Sequence, residues 1–241
     1  SASASAPACY APVPRRDWPD PDLPQAEHAV WLEVSAHLCS GTIVHSSPER
    51  GTYVLTAAHC VQKEFGIAEP AERIEVGVFA LSHVDPIEEG WILYPADVVA
   101  VSGEPPARER DSTWQTLQQF LGALRAMSGE DLAVLRLRTD RLFRAAVLHE
   151  AGPADLEGRE AVVVAVAPEM YPHAKPARCR ASDLDCPTGT NGNSGAGAYV
   201  DGKIVGIYNV QTGLSVGPED LRRFLGASEA TRFLATGETG P

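Results

Sequence analysis

VLTAAHC, residues 54–60, ends a β-type run on small residues and then presents a histidine, His59. An imidazole titrates near neutrality, so it can accept a proton and hand it back within one reaction cycle. GEDLAVL, residues 129–135, opens a second such run with Asp131, a carboxylate suited to orienting an imidazole. TNGNSGAG, residues 190–197, sets Ser194 between glycines on a loop leading to the run Ala198–Val200. A serine hydroxyl is a poor nucleophile unless a base stands beside it. Taken singly, each residue has a plainer reading: a packed histidine, a turn aspartate, a loop serine. In the order His59, Asp131, Ser194 they supply base, orienting acid and nucleophile.

Around these residues the chain reads as all-β. Short apolar runs recur from Ala29 onward: AVWLEV (29–34), GTIV (41–44), YVLTA (53–57), RIEVGVF (73–79), LAVLRL (132–137), AVVVAV (161–166), GAYV (197–200) and KIVGIYNV (203–210). Most are bounded by Gly, Pro or Ser, as in a barrel or sandwich. No helices alternate with them to cover a parallel sheet. Two stretches depart from the pattern. Ser112–Met127 spaces Trp114, Leu117, Leu121 and Leu124 helically, with Ser112 and Gln115 placed as a capping box. Glu219–Leu234 predicts a closing helix with Leu221, Phe224 and Leu225 on one side.

Bulk properties narrow the function. The 241 residues, 44% of them apolar, are enough to bury a sizeable core. A net charge of −12 argues against nucleic acid as a partner, because phosphates would be repelled. No apolar run is long enough to cross a bilayer as a helix. The opening SASASAPACYAPVP has neither the basic nor the apolar part of a secretion signal, so any such signal is expected to be gone already. Five cysteines, an odd count, leave at least one thiol over or pairing between chains. Cys39 and Cys60 are 21 positions apart and Cys179 and Cys186 are 7 apart, with Cys9 alone in the proline-rich start. Two bridges would point to an oxidising compartment.

The motifs resemble those of the chymotrypsin-like (trypsin-fold) serine peptidases. TAAHC is similar to that family's histidine motif, DLAVL to its aspartate motif, and GNSG to a variant of its GDSG serine motif. The order of the three is also that family's order. The similarity extends to CSGTIV (39–44) and VGIYN (205–209), and spans roughly residues 27 to 217. It implies two antiparallel six-stranded β-barrels with the active site in the cleft between them. It also implies a Cys39–Cys60 bridge, and that Ser194 attacks a peptide carbonyl with His59 as general base and acid and Asp131 orienting it. Backbone N–H groups of Gly192 and Ser194 would form the oxyanion hole. Residues Asn209, Val210 and Gln211 would pair with the substrate chain as an added strand. Two His and two Cys in HLC (37–39) and AHC (58–60) also offer zinc ligands. No metal and no cofactor is expected, because the cysteines match the family's disulfide.

Several features depart from the digestive members of the family. Asn193 precedes the serine where those enzymes carry an Asp, and no Ile-Val-Gly-Gly stretch stands ahead of Ala29. The salt bridge that completes those sites is thus absent, and Asn193 resembles the bacterial branch, including staphylococcal glutamyl peptidases and HtrA proteases. CRASDLDCPTGTNGNSG similarly resembles bacterial members with a small disulfide loop, here Cys179–Cys186, before the serine. The 71 residues between His59 and Asp131 exceed what a bare barrel needs, and the surplus is placed in a helical insert at about 105–127. That insert is either decoration or a lid. Thr188, six residues before Ser194, stands where trypsin-type enzymes carry an Asp, and Tyr208 stands where the glutamate-specific branch carries a His. Neither supplies a counter-charge, so the expected preference is for a small or apolar residue on the acyl side. Ala196 and Gly197 replace the usual Gly-Pro, with consequences for loop shape only.

The expected organisation is an N-terminal arm (1–26), a first barrel with its insert (27–139), a second barrel (140–217) and a C-terminal helical segment (218–241). The protein is expected to be a monomeric endopeptidase acting on protein or peptide substrates, without nucleic acid or membrane partners. The expected location is extracellular or periplasmic, the alternative being a cytoplasmic protease activated by cleavage of its insert. From another class, the rival is a catalytically silent binding module that keeps the barrels. His28, His45, His83, His149 and His173 have no partner pattern and receive no role.

Overall fold

The first strand is apolar at nearly every position because both of its faces are covered. Strand β1 (Ala29–Val34) turns Val30, Leu32 and Val34 into one cluster and Ala29 and Trp31 into another. The first cluster fills a closed barrel of strand order β1-β2-β3-β6-β5-β4. The other strands are β2 (His37–Ser47), β3 (Gly51–Thr56), β4 (Ile74–Phe79), β5 (Trp91–Val101) and β6 (Ala133–Leu137). Every pairing is antiparallel, and β1 against β4 closes the circle. This is a computed structural model, and it describes residues 24–34, 37–62, 71–85, 87, 90–102, 131–150, 152–166, 174–180, 194–208 and 215–236.

Gly77 of β4 faces Trp31 across the β1–β4 pair, and a Cβ there would fall 2.0 Å from the indole. The ring therefore lies over bare backbone, edge-on to Phe79 and Trp91. Fully burying an aromatic or aliphatic side chain of this kind contributes about 1.5–3 kcal/mol.

The second half forms a sheet of five strands among the described residues, in the order β11-β10-β9-β7-β8. These are β7 (Glu160–Val166), β8 (Ala174–Arg180), β9 (Gly197–Val200), β10 (Lys203–Tyr208) and β11 (Ser215–Val216). These strands fall where the second barrel is expected, and closure into six strands rests on residues outside those described. One face carries Ala161, Val163, Ala198, Val200 and Val205 into a cluster of its own. The other carries Val164, Val166, Tyr199, Ile204 and Ile207 against Trp31, Leu55 and Val134 of the barrel. An apolar seam thus joins the two lobes.

Strands β5, β8 and β11 had no counterpart in the predicted runs. Strand β5 holds Pro95 and Asp97 and is exposed along much of one side, so its apolar signal is diluted. Strand β8 holds Pro176, which lacks an amide hydrogen and is tolerated because β8 pairs on one side only among the described residues. Strand β2 runs well beyond GTIV at both ends. The single closing helix is corrected to two, α1 (Pro218–Ala227) and α2 (Arg232–Thr236). Gly226 and Ser228 are poor helix formers, and the Thr231 hydroxyl takes the freed carbonyl of Leu225 at 2.8 Å. Leu221 and Leu225 are buried as expected, with Phe224 packed at their edge. Residues 24–26, read as part of the arm, belong to a 3-10 turn, Pro24–His28, whose Ala26 is buried. The rest of the arm and the predicted insert at 105–127 lie outside the described residues.

Candidate active site

His59 and Asp131 are far apart in sequence but sit at adjoining strand ends. Strand β3 ends at Thr56, where it pairs with Ala133 at the start of β6. The chain leaves β3 through extended Ala57 into a short 3-10 turn, Ala58–Val61, that carries His59. Asp131 lies two residues before β6. Its position is fixed by Leu132, whose N–H donates to the Ser102 hydroxyl at 2.7 Å, while Ser102 N–H donates back to the Leu132 carbonyl at 2.7 Å.

Both carboxylate oxygens of Asp131 accept from His59. Oδ1 takes the main-chain N–H at 3.0 Å and Oδ2 takes Nδ1 at 2.8 Å. An ionised carboxylate only accepts, so Nδ1 must carry the hydrogen. In the neutral ring Nε2 then holds the acceptor lone pair. Asp131 is 7% exposed, and a buried carboxylate is tolerable only because donors are supplied to it. The pair is thus a base with its tautomer and ring plane set by one acid.

The turn that carries Ser194 comes from the other lobe, just ahead of β9. Its carbonyl accepts from Ser40 N–H of β2 at 2.8 Å. The same carbonyl lies 3.7 Å from Cys60 Sγ, and His59 Nε2 lies 3.7 Å from that sulfur as well. Imidazole and serine turn therefore share one neighbouring atom. Gly195 has φ +86°, and a Cβ there would meet the Ser40 carbonyl at 2.1 Å and Thr56 Oγ1 at 2.2 Å. Only glycine fits both that conformation and that space. Its N–H donates to the Tyr208 carbonyl, and Tyr208 N–H donates to the Ala196 carbonyl, each at 2.8 Å. The serine turn is thereby stitched to the end of β10.

Cys39 and Cys60 are disulfide-bonded. The sulfurs and the His59 ring gather within 4.8 Å of one another. Sulfurs bonded to each other are not thiolate ligands, so this trio does not hold zinc in the oxidised protein. Tyr208 is fully buried, so its side chain supports the second lobe's core and its main chain serves the turn. Cys179 lies on β8 opposite Ala161, and its expected partner Cys186 lies outside the described residues. Thr188, Gly192, Asn209, Val210 and Gln211 also lie outside them.

The histidines left without a role are packing residues where they are described closely. His83 is buried, with Nδ1 on the Phe79 carbonyl and Nε2 on the Tyr94 hydroxyl, and burial lowers its pKa. Burial, reinforced by Arg144, lowers the pKa of His28 to about 4. Sequence reasoning missed Ser40 and Thr56. Each stands inside a motif whose signal comes from its neighbours.

A solved structure titled "Crystal structure of Deg5" aligns with 88% of this chain and 94% of its own at a TM-score of 0.58. The two chains share a fold. Sequence identity is 14%, a level at which the likeness concerns the fold alone. No family model matches the sequence, and no curated protein matches it. No helix among the described residues is long and apolar enough to cross a membrane.

Proposed function

We propose that the protein is a trypsin-fold serine endopeptidase. The observation that carries the reading is the double engagement of one buried carboxylate by His59, with the Ser194 turn held by the Ser40 N–H beside the Cys39–Cys60 bridge. Ser194 Oγ attacks the scissile carbonyl while its proton passes to His59 Nε2. Asp131 stabilises the imidazolium that results. Collapse of the tetrahedral intermediate breaks the C–N bond, and His59 returns the proton to the leaving amine. Water then attacks the acyl carbonyl while its proton passes to His59, the ester C–O bond breaks, and His59 returns the proton to Ser194 Oγ. The N–H groups of Gly192 and Ser194 stabilise the oxyanion, each contributing about 3 kcal/mol to the transition state.

The finer features follow the family resemblance. The five-stranded sheet belongs to the second six-stranded barrel that the family resemblance implies. Asn209–Gln211 pair with the substrate as an added strand. Thr188 and the wall built around Tyr208 favour a small or apolar residue on the acyl side. The Cys39–Cys60 bridge fits an exported protein.

A fluorophosphonate probe tests the reading, because it labels a serine only when a neighbouring base activates it. Labelling of the intact chain and none of Ser194→Ala is the expected result. An unlabelled intact chain would make the protein a silent binding module. A cleavage profile on a denatured proteome then reads the side-chain preference.

A further inference from the structure

Base and nucleophile come from different lobes, so the register between the lobes is itself a catalytic quantity. The seam between them is largely apolar, and apolar contact has no direction. Sliding by a few tenths of an ångström would cost such a seam little. Hydrogen bonds do have direction, and one residue gathers several of them at the place where register matters.

Ser40 lies on β2 next to Cys39 and is fully buried. Its hydroxyl accepts from the Val166 N–H at 3.0 Å and donates to the Val166 carbonyl at 3.0 Å. Val166 ends β7, in the second lobe. The Ser40 N–H holds the Ser194 carbonyl, also in the second lobe, at 2.8 Å. The Ser40 carbonyl is taken by Thr56 Oγ1 at 2.8 Å, which ties the residue back to the strand leading to His59. Every polar atom of Ser40 is thus engaged, with two attachment points on the lobe of the nucleophile and one on the lobe of the base.

We infer that the Ser40 hydroxyl is a positioning group that locks the lobes in register, so that Ser194 stands at working distance from His59. A hydroxyl is suited to this because a single atom both donates and accepts, and so grips both polar groups of one residue. Alanine would keep the bond to Ser194 but release Val166, and the turn could then shift relative to the imidazole. A misplacement near 1 Å between reacting groups costs about 100-fold in rate.

The inference rests on the peptidase reading, and the experiment separates the two. Active sites are counted by the burst from an activated ester, and kcat is expressed per titrated serine for the intact chain and for Ser40→Ala. A residue that only stabilises the fold changes the titratable fraction and the Tm but not this quantity. The expected result is kcat per site lowered by about 10- to 100-fold with KM little changed, and slower fluorophosphonate labelling to match. Equal kcat per site in the two proteins, whatever their Tm, would overturn the inference and leave the peptidase reading standing. An intact chain with neither burst nor labelling would overturn both. Should the alanine chain not fold, Ser40→Cys keeps a weak donor and acceptor of similar size. It is expected to show intermediate turnover per site, and intact-chain turnover would refute the role of the hydroxyl.

Discussion

Replacing Asp131 by asparagine tests the proton path most directly, because the structure dictates which way the new amide must face. In the native site Oδ1 receives the His59 main-chain N–H at 3.0 Å and Oδ2 receives Nδ1–H at 2.8 Å. The main-chain N–H cannot change its character, so the amide oxygen must stay opposite it. The amide nitrogen then faces Nδ1 and donates to it. The ring responds by moving its hydrogen to Nε2, the atom that should accept the serine proton. Recovering the productive tautomer sets two donors against each other in a buried site, a penalty of about 3 kcal/mol. The imidazolium also loses its anionic partner, worth about 2 kcal/mol more. The sum, near 5 kcal/mol, corresponds to a fall of about 10⁴-fold in kcat. The assay is ester and peptide turnover per folded molecule, with circular dichroism and Tm to show that the fold persists. A variant within about 10-fold of the intact protein would refute the assigned tautomer.

Three other outcomes follow from the same geometry. Gly195→Ala forces a Cβ to within 2.1 Å of a main-chain carbonyl at φ +86°, and should cost more than about 3 kcal/mol in a urea titration; a change under about 1 kcal/mol would contradict the close packing of the serine turn against β2 and β3. Reducing the Cys39–Cys60 bridge, or replacing both cysteines by alanine, frees a 21-residue separation and should remove about 3 kcal/mol of stability; an unchanged urea midpoint would count against it. His28, whose pKa is lowered to about 4 in the folded protein, is held neutral there. Below its unfolded pKa the unfolded chain binds a proton that the folded chain refuses, so stability is complete above about pH 6.5 and declines toward pH 4, by at most about 3 kcal/mol. Urea midpoints across that range should fall less steeply for His28→Gln, and equal slopes would refute the assignment.

The sequence by itself made the strands of the barrel legible wherever both faces are covered, as in AVWLEV and LAVLRL, because continuous apolar character is what two packed faces demand. It also pointed to the proposed chemistry, through a histidine, an aspartate and a glycine-flanked serine in that order. It did not reveal β5 or β8, where Pro95, Pro176 and charged neighbours hide extended chain that is held by its pairing partners. It read one closing helix where there are two, because the apolar spacing continues through the break that Thr231 caps.

Tertiary structure decided how the distant residues meet. The β3–β6 register sets His59 beside Asp131, since strand pairing is a long-range choice that no local spacing encodes. The role of Ser40 likewise exists only across the seam between the lobes. A serine's hydrogen-bonding capacity can be read from the sequence, but the atoms that use it are assigned by the fold.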